Sequence, residues 1–343
     1  MKVRLTSLSK GAGCGCKLGP NVLSTILTTS VPEHAYPELV VGNDKRDDAA
    51  VFDLGDGTGV ISTLDFFTPI VDDPTEFGKI ASANAISDIY AMGGKPLLAT
   101  AILGWPVDAH PLEPVAQIMD GARMMCAKAG IPLAGGHSID NPDPIFGLSV
   151  TGRVQLQHLK KNDGARVGDL LFLLKPLGVG LTVTAHKKDK AVHDHYLQAC
   201  RVMATLNSVG FELSTLDGVH AMTDVTGFGL LGHLSEMCQG AKVGAELQYA
   251  NIPFLDEKQL RAYIDEGCIP GATMRNWQAV QNHVEPLDFY RKALLCDPQT
   301  SGGLLVSVAP SSVDAFMQTI QQAGYRTMQP IGTIITEESI RVL

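Results

Sequence analysis

The sequence has little positive charge. It contains 27 Lys and Arg residues against 36 Asp and Glu residues, which gives a formal net charge of −9 at pH 7. Proteins that bind the phosphate backbone of nucleic acids present basic surfaces to it. A nucleic-acid partner is therefore not expected, and a phosphate-bearing substrate would need metal ions to supply the missing positive charge.

The sequence also lacks an apolar run long enough to cross a membrane. Its most apolar stretch, LLFLLKPLGVGLTV, is interrupted by Lys175, Pro176 and two glycines, whereas a membrane-spanning helix needs about 20 apolar residues. Lys2 and Arg4 are not followed by an apolar segment, so a secretory signal is not expected. The cysteines number seven, and this odd count argues against a disulfide framework and favours the reducing cytoplasm.

Apolar and turn-forming segments alternate in an order that predicts an α/β protein, and a length of 343 residues favours two domains. The first half contains predicted strands within 49–67 and at 96–103, 131–139 and 146–155, and predicted helices at 20–29, 74–92 and 112–129. The second half contains predicted strands at 170–175, 218–224, 242–254, after CDPQTSGG and at the end, and predicted helices after PLGVG, after Asp224 and near 311–323. The polar stretch at 156–169 predicts a boundary between domains at 1–156 and 167–343.

A glycine-rich segment with two cysteines and two lysines, SKGAGCGCKLGP, occupies residues 9–20 and predicts a flexible loop. A phosphate-binding P-loop is rejected because Leu18 replaces the required Ser or Thr. A structural zinc site is rejected because Cys14 and Cys16 are one residue apart and no second ligand pair is evident. We expect a mobile thiol whose reactive thiolate form is favoured by Lys10 and Lys17. The alternative is a disordered tail with incidental cysteines.

Several acidic residues stand at the ends of predicted strands or on one helix face. Asp48 precedes a strand, Asp65 and Asp224 end strands, and Asn84 and Asp88 are four residues apart on one helix. Carboxylates that lie close together need a cation, and hard oxygen ligands point to Mg²⁺ shared with substrate phosphates. The alternative for each of them, and for Asp47 and Asp56 in particular, is the role of a cap or turn residue.

Two glycine-containing segments complete the candidate set. AGGHSI predicts a glycine turn after a strand, in which backbone amides near His137 would face a phosphate. A loop histidine with satisfied hydrogen bonds explains the same pattern equally well. DPQTSGG, after Cys296, predicts a tight turn with capping groups and has only a weak claim to substrate contact.

Taken together, these motifs resemble the selenophosphate synthetases, also called selenide, water dikinases. The resemblance is carried by GAGCGCK, RDDAAV, NAISDIYAMGGKP, GGHSI, MTDVTGFGLLGHL and DPQTSGGLL, in order over nearly the whole chain. The acidic and glycine motifs are shared with the wider aminoimidazole ribonucleotide synthetase-like superfamily, whereas Cys-Gly-Cys-Lys is specific. The resemblance implies that ATP, selenide and water give selenophosphate, AMP and phosphate. It also implies a two-domain fold and a homodimer whose N-terminal domains pair into a β-barrel.

The resemblance assigns a role to each matching residue. Cys14 would be catalytic and handle selenium, and Lys17 would be catalytic and contact phosphate. The implied magnesium ligands are Asp48, Asp65, Asp88 and Asp224. The implied ATP-site residues, which include the loop offered across the dimer, are Lys17, Lys45, Arg46, Asp47, Asp65, Asn84, Asp88, Gly135, Gly136, His137 and Ser138. The sequence departs from the family at Lys10, where several relatives carry a histidine, so we assign Lys10 no role.

Two other functions remain open from the sequence. One is a different ATP-using enzyme of the same fold, such as a purine-biosynthesis synthetase or a thiamine phosphate kinase, against which the Cys-Gly-Cys-Lys loop argues. The other is a thiol-based selenium carrier, which would have no need for the acidic set. A partner protein that donates selenium is compatible with the predicted enzyme.

Overall fold

The structure is a computed structural model that describes residues 4–9, 11–17, 22, 25–26, 36–42 and 47–343. Lys10, Lys45, Arg46 and most of the predicted helix at 20–29 lie outside the described residues. Within the described ranges, no helix is both long enough and apolar enough to cross a membrane.

The first half of the chain is built on a mixed six-stranded sheet. Its strands are β1 (Leu39–Val41), β2 (Ala50–Asp53), β3 (Thr58–Phe67), β4 (Lys95–Trp105), β5 (Leu133–Asp140) and β6 (Ile145–Gln155), in the order β1-β2-β3-β6-β4-β5. All neighbours are antiparallel except β4 and β5, which are parallel. Helix α1 (Pro74–Ala91) packs on β3 and β6, and helix α2 (Glu113–Lys128) packs on α1.

Helix α1 has clear start and stop signals. The Asp73 side chain accepts a hydrogen bond from the Glu76 amide, and Pro74 occupies the first turn. The helix ends just before Gly93, which has a φ of +74°. Almost every residue of α1 is buried, so its polar side chains need specific partners. A Cβ at Gly78 would lie 2.0 Å from the Ile118 carbonyl oxygen, so glycine is required where α1 meets α2.

The second half is built on another six-stranded sheet. Its strands are β7 (Leu170–Leu173), β8 (Val219–Asp224), β9 (Gly244–Leu247), β10 (Leu304–Val308), β11 (Gly332–Ile335) and β12 (Ile340–Val342), in the order β12-β9-β11-β7-β10-β8. Its helices are α3 (Val179–Lys187), α4 (His193–Met203), α5 (Val209–Ser214), α6 (Gly229–Ala241), α7 (Glu257–Asp265), α8 (Thr273–Val280), α9 (Phe289–Leu295) and α10 (Val313–Gln322). The residues between β6 and β7 form two short 3-10 turns, Leu156–His158 and Asn162–Gly164.

The predicted strand at 242–254 is wrong in its extent. Only Gly244–Leu247 is a strand, and Tyr249–Asn251 is a 3-10 turn. The strand ends at Leu247 because its neighbour β11 begins opposite that residue, at Gly332. Further along, the Pro253 carbonyl accepts a hydrogen bond from the Leu177 amide (2.9 Å) instead. Helices α4, α5, α7, α8 and α9 were not predicted.

The predicted glycine turn in AGGHSI is also wrong. Gly135 and Gly136 lie inside β5, which continues to Asp140 beside β4. Gly136 has a φ of +156°, and a Cβ there would lie 2.2 Å from the Ala101 carbonyl oxygen. Gly136 is therefore a glycine because β4 and β5 approach each other closely at this position, not because the chain changes direction there.

Candidate active site

A cluster of polar side chains lies where α1 meets β3 and β8. Asp65 shares the face of β3 that contains Thr63, because side chains alternate along a strand. Thr63 Oγ1 donates to Asp88, and Asn84 Nδ2 donates to Asp65. Ser87 Oγ, on the same helix, donates to Asp224 at the end of β8. The structure thus brings together four residues predicted from the sequence: Asp65, Asn84, Asp88 and Asp224.

The Cys14 segment closes over this cluster as a 3-10 turn, Gly13–Cys16. The Cys14 amide donates to Thr300 Oγ1 (3.0 Å), and the Cys14 thiol donates to Asn84 Oδ1 (3.2 Å). A Cβ at Gly13, whose φ is +52°, would lie 2.4 Å from Thr300 Oγ1, so only glycine allows this approach. The Lys17 ammonium lies 3.0 Å from Asp65 Oδ1, which joins the loop to β3.

The expectation of a Cys14 thiolate is not met in this closed arrangement. Cys14 is 1% exposed, and burial raises the pKa of its thiol far above the ordinary value, although Lys17 acts in the opposite direction. Burial is the largest influence on Lys17 and by itself would lower its pKa, but the charges of Asp65, Cys14 and Asp88 together raise the pKa, so Lys17 stays charged. Cys16, in contrast, is exposed.

The clustered carboxylates repel one another. Burial, and then the charge of Asp224, raises the pKa of Asp48 and of Asp88 well above the ordinary value. Burial also raises the pKa of Asp224, to about 6, although the Ser87 hydrogen bond opposes the shift. Such an arrangement favours a bound cation.

One carboxylate oxygen in this cluster is suited to bind a metal ion. Asp48 Oδ1 accepts from Thr223 Oγ1 (3.0 Å), whereas the buried Asp48 Oδ2 has no hydrogen-bond partner among the described residues. Carboxylate oxygens are the donors that Mg²⁺ prefers. Within the described part of the chain, however, no three His, Cys, Asp or Glu side chains are close enough together to enclose a metal ion. The magnesium set Asp48, Asp65, Asp88 and Asp224 therefore stays a prediction.

The 297–303 loop contributes more to the cluster than its sequence suggested. Thr300 binds the Cys14 amide, and the Ser301 amide donates to Asn84 Oδ1 (2.7 Å). Ser301 has a φ of +50°, which is strained for a residue with a side chain. The loop reaches the cluster because β10 pairs with β8, with Leu304 opposite Asp224. These contacts position Cys14 and Asn84, and the weak claim of DPQTSGG to substrate contact stays a prediction.

Lys175 is a second residue that the sequence pattern did not reveal. Its side chain is buried just after β7, and its Nζ donates to the carbonyls of Thr205 (2.6 Å) and Ser301 (2.8 Å). Burial lowers the pKa of Lys175 to about 7, although Asp224 raises it. Lys175 thus ties the strained Ser301 to a second loop.

The remaining predicted residues lie elsewhere. Asp47 Oδ1 accepts from the Asn162 amide (2.8 Å), at the first residue of the 3-10 turn Asn162–Gly164. Gly135, Gly136, His137 and Ser138 are exposed on β5, at the edge of the first sheet. In the described residues, no hydrogen bond or ion pair joins these four to the acidic cluster.

Comparison with known proteins agrees with this architecture. The family model described as AIR synthase related protein, N-terminal domain, matches residues 46–154, and the C-terminal domain model matches residues 166–343. Thiamine-monophosphate kinase from Stenotrophomonas maltophilia K279a has a similar fold, with a TM-score of 0.65 at 19% identity, over 89% of this chain and 91% of that one. The fold and the family models define the class as AIR synthase related proteins.

Curated relatives narrow the class. Selenide, water dikinase from Colwellia psychrerythraea strain 34H is 56% identical over 98% of this chain and 97% of its own length. Selenide, water dikinase from Aeromonas hydrophila is 54% identical over 97% of this chain and 95% of its own length. The chain therefore belongs to the selenide, water dikinase family. The predicted family, fold class, enzyme class and activity are confirmed.

Proposed function

We propose that this chain makes selenophosphate from ATP, selenide and water, releasing AMP and phosphate, at the cluster closed by the Gly13–Cys16 turn. The observation that carries the proposal is the continuous contact from the Cys14 thiol through Asn84 to Asp65 and Lys17. These contacts connect the thiol proposed to handle selenium, on Cys14, with the cation proposed to bind phosphate, on Lys17. Both lie close to the predicted metal ligands.

Lys17 is proposed to stabilise the transferred phosphoryl group. Phosphoryl transfer depends mainly on positioning and on neutralising charge. Asp65 keeps the Lys17 ammonium charged and fixes its position before the substrate arrives, so little reorganisation is needed during the reaction.

Cys14 is proposed to receive selenium, and Asn84 to orient its thiol. Asn84 Oδ1 accepts from both the thiol and the Ser301 amide, and its Nδ2 is held by Asp65. All of the hydrogen-bonding atoms of this side chain are therefore engaged, which restricts the thiol to one direction. The closed turn also excludes water from the Cys14 side chain, which is 1% exposed.

Mg²⁺ is the proposed cofactor, held by Asp48, Asp88 and Asp224 with Asp65 beside them. The unpartnered Asp48 Oδ2 and the mutual repulsion of the carboxylates support this assignment. When bound, Mg²⁺ would neutralise charge on ATP and on the phosphates formed from it. Lys45, Arg46 and Asp47 stay predicted nucleotide contacts.

A homodimer is proposed because one face of the first sheet exposes large apolar side chains. These are between 38% and 54% exposed: Leu39, Phe52, Leu64, Phe66, Leu97 and Leu98. Contiguous apolar surface of this kind marks protein interfaces, and a second copy of the sheet would cover it as a barrel. The edge residues Gly135–Ser138 would then reach the partner's site. The domains 1–156 and 167–343, the cytoplasmic location and a selenium-donor protein are further proposals.

The test is phosphorus NMR of the protein with ATP and Mg²⁺ under anaerobic conditions, with and without selenide. We expect selenophosphate, AMP and phosphate to appear together only when selenide is present. Cys14→Ser and Lys17→Ala should abolish the selenophosphate signal, with Cys16→Ser as the control for a loop thiol outside the cluster. Intact ATP in both samples from folded protein would favour the selenium carrier instead.

A further inference from the structure

A cavity of about 270 Å³ lies against the loop that carries Cys14. One wall is the loop itself, at Gly11, Ala12 and Gly15, together with Thr300. The other walls are α3, the segment 269–272 and the start of α8. Thr300 both lines the cavity and binds the Cys14 amide, so the cavity adjoins the loop that carries the Cys14 thiol.

The cavity is cationic. Its charged lining side chains are Lys187, at the end of α3, and the exposed Arg275, on α8, and no acidic side chain lines it among the described residues. The Lys187 ammonium donates to the Ser9 carbonyl (2.9 Å), not to a carboxylate. Burial and the neighbouring Arg4 guanidinium lower the pKa of Lys187, against the influence of Asp72. This cation therefore lacks full compensation and favours an anion.

The two sides of the loop differ in their charged side chains. On the Cys14 side the Lys17 ammonium is paired with Asp65, whereas Lys187 and Arg275 line the cavity and no acidic side chain lines it among the described residues. A small anion is attracted to cations of this kind in a low-dielectric cleft. A small anionic substrate that must reach Cys14 would consequently gather in the cavity first.

The rest of the lining selects among small anions. Its larger apolar side chains are Ile70, Val183, Ile269, Pro270 and Pro298. Phosphate carries up to two charges and requires many hydrogen-bond donors, and besides the two cations only the hydroxyls of Thr184 and Thr300 are available among the lining side chains. A polarisable anion with a single charge tolerates apolar walls better. We propose that the cavity binds hydroselenide, the singly charged form of selenide in neutral water, and holds it beside Cys14; this inference rests on the function proposed above.

The kinetic test removes one cation at a time. Arg275→Gln and Lys187→Gln should each raise the KM for selenide about 10- to 150-fold, the effect of losing one charge-assisted contact, with kcat and the KM for ATP unchanged. Lys258→Gln is the matched control, because Lys258 is an exposed cation outside the cavity. An unchanged selenide KM in both cavity variants, or a parallel rise in the KM for ATP, would overturn the proposal.

A second test does not depend on activity. Iodide is a soft, singly charged anion with strong anomalous scattering, and soaked crystals should show an iodide peak in the cavity that Arg275→Gln removes. A peak without any kinetic effect would identify an adventitious ion only and overturn the proposal. Orthophosphate that competes with selenide, in the absence of an iodide peak, would assign the cavity to phosphate instead. Wild-type protein that makes no selenophosphate would refute the proposed function, while the iodide peak would still decide whether the cavity binds a soft anion.

Discussion

Replacing Thr300 by Val would test whether a single hydrogen bond holds Cys14 in the closed turn. Thr300 Oγ1 accepts from the Cys14 amide at 3.0 Å, and both residues are buried, at 2% and 1% exposure. Val has nearly the shape of Thr but no acceptor. In the closed turn the Cys14 N–H would therefore be left without a partner, whereas in an open loop it would bind water.

The expected size of the effect on loop opening follows from this difference in hydrogen bonding between the closed and the open loop. A buried donor without an acceptor costs about 1–3 kcal/mol, and this cost falls on the closed state alone. Since 1.4 kcal/mol changes an equilibrium constant tenfold, the ratio of open to closed loop should rise roughly 5- to 150-fold. The contact between the Cys14 thiol and Asn84 would be lost each time the loop opens.

The assay is the rate at which iodoacetamide alkylates Cys14, followed by mass spectrometry of the Cys14 peptide. A Cys16→Ser background removes the exposed thiol, which would otherwise react first. Thr300→Val should accelerate Cys14 alkylation within the range above, and Thr300→Ser, which keeps the hydroxyl, should react like the wild type. Buried Cys296 reports on global unfolding, and its rate should not change. Equal Cys14 rates in Thr300→Val and the wild type would refute the reasoning.

Three further predictions concern stability. Asp48→Asn removes a carboxylate that is repelled by its neighbours and has an unpartnered oxygen. Urea unfolding without metal at pH 7 should therefore show a free energy of unfolding about 1–3 kcal/mol higher than that of the wild type. Selenophosphate synthesis should fall at least about 100-fold. Because the pKa of Lys175 is lowered to about 7, the unfolded chain binds more protons than the folded chain above pH 7. Urea titrations from pH 7 to 9 should therefore show the wild type gaining up to about 1.4 kcal/mol per pH unit over Lys175→Met, and parallel profiles would contradict this. Gly78→Ala should lower stability by about 1–3 kcal/mol in thermal unfolding, because its Cβ would meet the Ile118 carbonyl. Gly271→Ala, where a Cβ has open space, should stay within about 0.5 kcal/mol of the wild type.

Local sequence pattern was sufficient for the part of the site that α1 and β3 supply. Asn84 and Asp88 share a helix face because they are four residues apart, and Asp73, Pro74 and Gly93 mark the helix ends. Asp65 was expected at the end of its strand, but β3 continues to Phe67, so the prediction of the strand is confirmed and that of its end is wrong. These inferences depend on periods of 2 and 3.6 residues and on caps, which a single sequence displays directly.

The parts that depend on distant contacts could not be predicted. Thr300 and Ser301 reach Cys14 and Asn84 only because β10 lies beside β8. The order of strands in a sheet cannot be predicted from the local sequence pattern. Lys175 becomes a buried positioning residue through the carbonyls of two separate loops. The prediction that nearby lysines make Cys14 a thiolate is wrong for the same reason. A nearby lysine is visible in the sequence, but the burial that raises the pKa of the thiol is not.

The raised pKa of Cys14 has a consequence for the order of events. In the closed turn the thiol is neutral, buried and hydrogen-bonded to Asn84, so it is a poor nucleophile. Opening the turn would return the thiol to water, where its pKa falls towards the ordinary value and the thiolate becomes accessible. Phosphoryl transfer, in contrast, requires the closed turn, because closure excludes water and the Lys17 ammonium is then held at Asp65. We therefore infer that the closed turn is the state in which phosphoryl transfer occurs and that alkylation of Cys14 reports the open turn. On this reasoning Thr300→Val should speed alkylation of Cys14 and slow the transfer step.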